Sequence, residues 1–193
     1  MSISVVGISG SLSEPSRTSG LVSAILEAIA RETNLDTIQI DLSTSSAGLF
    51  AASSPAKLNS EARAIVEPVE DADLLVVGSP VYRASYTGAL KHLFDLVDHK
   101  RFASKPVILA ATGGSPLHGL VIEHQLRPLF GFLNALTLPT AIYAIESDFS
   151  NYRLTNDAVR ERIDRSVAEA VIQLTRHRIP KSFSSSVGAA SNA

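Results

Sequence analysis

Hydroxyl groups crowd around one arginine in the stretch Gly10-Ser11-Leu12-Ser13-Glu14-Pro15-Ser16-Arg17-Thr18-Ser19, which leads into an amphipathic helix. Backbone N–H groups at a helix start, aided by the helix dipole, favour a phosphate dianion, and hydroxyl donors complete the cradle. A single serine before a helix is ordinarily an N-cap. A run of hydroxyls beside a guanidinium exceeds what capping requires, so Ser11, Ser16, Arg17 and Thr18 are the candidate phosphate ligands. A second stretch begins Pro80-Val81-Tyr82-Arg83-Ala84-Ser85-Tyr86. Proline fixes the backbone there, tyrosine offers a face for stacking, and Pro80, Val81, Tyr82 and Ser85 are candidates to line a planar ring. The third is Thr112-Gly113-Gly114-Ser115. Paired glycines let the main chain approach a ligand and present N–H donors unobstructed, although alone such a pair also reads as a tight turn.

Alternating strand and helix signals place all three stretches at one edge. Apolar runs at Ile3–Ser9, Leu74–Gly78 and Pro106–Ala111 read as strands, the second as one buried on both faces. Thr37–Leu42 alternates like an outer strand, and Leu136–Ala144 reads as the last strand. Helices are expected over Ser19–Ala30, Ala56–Val69, Gly88–Leu96, Leu120–Leu133 and Thr155–Thr175. In the last of these Val159, Ile163, Val167, Val171 and Leu174 recur every three or four residues on one face. The pattern predicts an α/β flavodoxin-like fold: a five-stranded parallel sheet, order 2-1-3-4-5, with helices on both faces. Ligands of such sheets sit at the carboxyl ends of strands 1, 3 and 4, where the three stretches begin. A phosphate at one end, a planar ring at the other and backbone donors at the ring's polar edge together describe flavin mononucleotide, FMN.

Other ligands of this architecture are excluded by residues the chain lacks. There is no G-x-x-x-x-G-K-[ST] and no G-x-G-x-x-G, since the first loop has Gly7-x-x-Gly10. Asp41 ends strand 2 without the glycines that would make it a ribose ligand, and reads as solvated. Strands 1 and 3 end in Ser9-Gly10 and Gly78-Ser79, with no aspartate for phosphotransfer. G-x-S-x-G is not satisfied at Ser9. The chain contains no cysteine, which removes disulfides, thiolate metal sites, thiol redox chemistry and cysteine nucleophiles. Electron transfer by this chain requires a borrowed cofactor.

At these loops the sequence resembles the NAD(P)H-dependent FMN reductase family. The family pattern P-x-Y-x-x-S-x-x-G-x-L-K is met in full by Pro80, Tyr82, Ser85, Gly88, Leu90 and Lys91, and T-G-G by Thr112 to Gly114. The family's G-S-x-R-x-x-S-x-[TN] departs at one place, where Ser13 stands for the arginine and Arg17 follows four residues later. The resemblance implies FMN and NAD(P)H as cofactors and hydride transfer between them, with no catalytic side chain and no metal. The stretch Gly119–Phe130, with Ala144–Leu154, further resembles the subgroup serving sulfonate-type two-component monooxygenases. That implies a flavin-dependent monooxygenase as acceptor of reduced FMN, a homo-tetramer or dimer, and a one-residue π-bulge with His124 at the inserted place. An FMN-retaining reductase of quinones, chromate or azo compounds, and an electron-transfer flavodoxin, remain alternatives. His92, Asp95 and His118 read as structural.

The 193 residues carry a net charge of −2 and are 45% hydrophobic and 19% charged, as expected of one globular domain with no nucleic-acid or membrane partner. Met1–Gly10 reads as a first strand, not an export signal, and a cytoplasmic location is expected. Residues 1–180 are expected to form the flavodoxin-like domain, and the Ser/Ala-rich residues 181–193 a disordered tail.

Overall fold

Apolar runs with no polar alternation can be buried on both faces only in a sheet that helices cover on each side. The computed structural model, which describes residues 3–177, forms such a sheet. Its strands are β1 (Val5–Ser9), β2 (Thr37–Asp41), β3 (Leu74–Pro80), β4 (Pro106–Gly113), β5 (Leu136–Thr137) and β6 (Ile142–Ile145). They are all parallel, in the order β2-β1-β3-β4, with β5 and β6 both paired to β4. The expected flavodoxin-like order therefore holds, with the fifth strand in two pieces. The expected tail at residues 181–193 lies outside the described residues.

Strand residues alternate between two cores. Val6, Ile8, Leu75, Val77, Val107 and Leu109 pack against α2 (Leu42–Ala51), α3 (Ser60–Asp71), α4 (Gly88–Leu96) and α5 (Arg127–Phe132). Here the Phe94 ring meets those of Phe130 and Phe102 edge-on, at centroid distances of 4.8 and 6.0 Å. Val5, Leu74, Val76, Ile108 and Ala110 pack against α1 (Arg17–Thr33) and α6 (Asp157–His177). Helix α1 lies close to the sheet: a Cβ on Gly7 would stand 2.7 Å from Val22 and Leu26, and one on Gly78 2.6 Å from Val22.

Three elements depart from the sequence expectation. The expected helix Ala56–Val69 is a 3₁₀ turn, Pro55–Lys57, followed by α3, whose cap Asn59 accepts from the Ala62 amide at 2.8 Å. A helix was not expected at the serine-rich Leu42–Ala51; it forms because Leu42 and Leu49 bury fully against the sheet. The expected strand Leu136–Ala144 breaks around Pro139, which has no N–H for a ladder. Helix α6 serves the break: Glu169 accepts from the Thr140 amide and hydroxyl (3.0 and 2.6 Å), and Ser166 donates to the Thr140 carbonyl (2.8 Å).

Lys105, only 7% exposed, closes the C-terminal end of α3, its Nζ donating to the carbonyls of Val69 (3.2 Å) and Glu70 (2.6 Å). Burial pushes its pKa down to about 8, with Arg101 adding to the effect and Asp71, Asp73 and Glu70 opposing it. Between that value and the ordinary lysine value of 10.5 the unfolded chain holds a proton the folded chain has lost. Stability from this site is therefore present above pH 10.5 and lost as pH falls through 8. Urea midpoints at pH 7.5 and 9.5 should show a rise with pH that Lys105→Met flattens. A rise of equal size in both proteins would assign it to other groups.

Candidate active site

A crevice of about 350 Å³ opens at the carboxyl ends of β1, β3 and β4. It is lined by Ser11, Ser16, Arg17, Thr18, Pro80, Val81, Tyr82, Thr112, Gly113 and Gly114, all expected from sequence, together with Ser13, Pro15, Glu146 and Tyr152. Short bonds between the loops hold it open. Gly10 donates its amide to Gly78 (2.8 Å), and Val81 donates to Thr112 (2.8 Å). Thr87, the cap of α4, donates its hydroxyl to the Gly10 carbonyl (2.7 Å) while its amide donates to the Ser79 hydroxyl (3.1 Å).

At the phosphate end, Ser16 caps α1 by accepting from the Ser19 amide (3.3 Å), which leaves its own O–H proton available to a ligand. Among the described residues the amides of Arg17 and Thr18 have no partner, as the first turn of a helix dictates. The Ser11 and Thr18 hydroxyls, also in the lining, have partners within the protein as well. Ser11 accepts from the Ser13 amide (3.2 Å) and shapes the turn. Thr18 is buried and shares a 2.6 Å hydrogen bond with the Thr112 hydroxyl, fastening α1 to β4. What Thr18 offers a ligand is its amide. The Arg17 guanidinium pairs with Glu146 and lies 5.6 Å from the centre of the Tyr152 ring.

At the ring end, Pro80, Val81 and the half-exposed Tyr82 form the wall. Tyr82 and Ser85 bracket a two-residue turn whose central residues, Arg83 and Ala84, have φ of 51° and 64°. Non-glycine residues in that region cost roughly 1–3 kcal/mol each and mark a turn held in place for a purpose. Ser85, expected at the ring, is not among the residues that line the crevice. Its hydroxyl donates to Gln125 Oε1 at 3.3 Å. Gly114 has open space where a Cβ would stand, whereas a Cβ on Gly113 would fall 2.2 Å from the Tyr143 hydroxyl. Tyr143 donates to the Ser115 carbonyl (2.6 Å), and burial pushes its pKa up, so the phenol remains a donor.

Gln125 lies in a π-helical turn, Ile122–Leu126, centred on His124 and running directly into α5. Arg127 donates its amide five residues back, to Ile122, and Pro128 after it has no amide to give. Bidentate hydrogen bonds from Arg127 to Glu123 (2.6 and 2.8 Å) brace the turn and hold the Glu123 carboxyl below its usual pKa. Pro128 was a signal of this irregularity available in the sequence.

Tyr152 and Glu146 could not be located from motif spacing. Tyr152 sits in the turn between β7 (Phe149–Ser150) and β8 (Arg153–Leu154), where Asn151 and Tyr152 have φ of 47° and 64°. Its carbonyl rests on α1 at Gly20, where a Cβ would come within 2.0 Å. A glycine inside an otherwise regular helix signals close backbone approach, and that was the clue.

This is a flavodoxin-like protein with a crevice suited to a planar, singly phosphorylated ligand: free amides and a hydroxyl for a dianion, an aromatic wall, and an open glycine edge. Residues 3–150 match the family model described as NADPH-dependent FMN reductase. The chain is 45% identical over 170 residues to the FMN reductase (NADPH) of Pseudomonas aeruginosa, covering 88% of this chain and 91% of that one. It is 49% identical over 164 residues to the NADH-dependent FMN reductase SfnF of Pseudomonas putida, covering 84% and 88%. The solved apo structure of the NADH:FMN oxidoreductase EMOB matches with a TM-score of 0.78 and 27% identity over 90% of each chain. The chain belongs to the NADPH-dependent FMN reductase family of oxidoreductases. Among the described residues no helix is long and apolar enough to cross a membrane.

Two glycine substitutions separate binding from folding. Gly114→Ala meets no protein atom and should leave thermal stability unchanged or slightly raised, by up to about 1 kcal/mol, while weakening FMN binding in a flavin titration. Gly20→Ala should displace the β7–β8 turn and cost about 1–3 kcal/mol of stability as overpacking. Intact FMN affinity in Gly114→Ala would place the flavin away from this edge.

Proposed function

We propose that this chain reduces FMN with NAD(P)H and releases the reduced flavin to a separate flavin-dependent monooxygenase acting on sulfonates or related organosulfur compounds. When bound, FMN would supply the redox chemistry, hydride acceptance from NAD(P)H. The amides of Arg17 and Thr18, the Ser16 hydroxyl and the Arg17 guanidinium are suited to the phosphate. Pro80, Val81 and Tyr82 would hold the ring, and the amides at Gly113 and Gly114 would stabilise negative charge on it as preorganised dipoles. No protein acid, base or nucleophile is required.

The observation that carries release, as opposed to retention, is the link from the π-helical turn to the ring wall. The Ser85–Gln125 hydrogen bond joins the hairpin bearing Tyr82 to the turn containing His124. A conformational change in that turn can therefore reach the flavin wall. Exposed Leu117, Leu120 and Phe132 lie in the loop before that turn and in α5 after it, and support assembly into a homo-oligomer through this face. Light scattering at micromolar concentration should return a multiple of the chain mass, and a monomer mass would refute the assembly.

The protein should purify colourless and oxidise NADH or NADPH in air only when FMN is added. Deleting His124 restores regular helical bonding and rotates the preceding residues against the following ones by about 100°. The Ser85–Gln125 link should break, and the variant should purify yellow, its flavin reducible once but its steady-state turnover of added FMN lost. A parent protein that is yellow, stays so on gel filtration, and reduces quinones or azo dyes without added FMN would overturn the proposal.

A further inference from the structure

Among the described residues that line the crevice there is one carboxylate, Glu146, and it is paired with the one cation, Arg17. Both side chains keep contact with solvent, Arg17 at 38% and Glu146 at 69% exposure. Three separate segments bring this group together. Arg17 opens α1, the β7–β8 turn sets the Tyr152 ring 5.6 Å from the guanidinium carbon, and Glu146 follows directly on β6. Ile145, the residue before it, is in register with Gly113 of β4, so Glu146 leaves the sheet beside the glycine pair.

The main chain that carries Glu146 is held from the protein side. Glu146 begins a 3₁₀ turn that ends at Asp148, which is 8% exposed. The Asp148 carboxylate accepts from the Ile145 amide and from Asn156 Nδ2, each at 2.7 Å. Its carbonyl accepts from the amides of Thr155 and Asn156 at 2.8 and 3.2 Å. Glu146 can turn its side chain, but its backbone cannot leave the crevice without breaking these bonds.

We propose that Glu146 is a release determinant, an internal competitor for the flavin phosphate that keeps FMN exchangeable. The inference rests on reading the crevice as the flavin site, and deepens that reading at the end opposite the ring wall. A charge-assisted hydrogen bond to a guanidinium contributes most when no earlier partner has to be given up. Here Arg17 must give up a carboxylate to take a phosphate, and the freed carboxylate stays tethered near a like charge. Both effects weaken binding of the phosphate and leave the ring untouched. The unpaired amides of Arg17 and Thr18 still recognise a dianion, so Glu146 lowers affinity without abolishing selection.

Flavin titrations of the parent, Glu146→Gln, Arg17→Ala and the double variant test this, each with FMN and with riboflavin, which has the ring and lacks the phosphate. Glu146→Gln keeps the size of the side chain and removes its charge. It should tighten FMN binding about fivefold, the upper range for an exposed ion pair, and slow FMN release in stopped flow by a similar factor. Riboflavin affinity should not change, and the gain for FMN should shrink as salt is raised. In the Arg17→Ala background the same substitution should do less. An equal gain there would mean repulsion without competition and would overturn the proposal. Equal gains for FMN and riboflavin, or no gain for FMN, would overturn it as well. A parent that binds FMN in the expected way yet oxidises neither NADH nor NADPH with it would sink the proposed reduction while leaving the part played by Glu146.

Discussion

Helix α1 rests on the sheet over Gly7 and Gly78, at a distance no larger residue in either strand would permit without displacing Val22 or Leu26. The buried Thr18–Thr112 hydrogen bond then fastens its first turn to β4. These constraints bring the N-terminus of α1, with its free amides, to the same sheet edge as the Thr112-Gly113-Gly114 main chain. Close packing in the interior thus sets the geometry of a site made mostly of backbone.

The β7–β8 turn depends on the same helix. Its Tyr152 carbonyl requires Gly20, and Tyr152 borders the crevice. On the opposite side the Tyr82–Ser85 turn is joined to the π-helical turn through Gln125. Both turns place non-glycine residues at positive φ, so each keeps a local strain that the packing around it must outweigh.

Much of this was legible in the sequence because strands buried on both faces leave unbroken apolar runs, and Leu74–Val77 and Val107–Ala111 are such runs. Three polar loops following three strands marked the place where the crevice opens. Less was legible where a residue's meaning depends on distant partners. Arg17 and Glu146 are separated by 129 positions, and no spacing rule joins them. The Thr18 and Ser11 hydroxyls have the right chemistry for a ligand, but whether a hydroxyl faces the crevice or the protein follows from side-chain direction, which composition does not encode. Helix α2 was hidden because its serine-rich sequence shows little periodicity, and only the sheet beneath explains why Leu42 and Leu49 are buried. Pro139 and Pro128 mark the split strand and the widened helix, yet an apolar pattern that runs on through Pro139 reads as one strand.

The pairing of Arg17 with Glu146 makes the crevice an ion exchanger. Among the described residues that line it, Arg17 is the cation, and its charge is already compensated by a carboxylate. An oxyanion binding there would compete with Glu146 for the guanidinium, trading one exposed ion pair for another at little net gain. Inorganic phosphate or sulfate would therefore compete weakly for this position. A ligand that also covers the Pro80–Tyr82 wall would add apolar contact to the exchange, so the arrangement favours a ligand with a ring and a charge over a small anion.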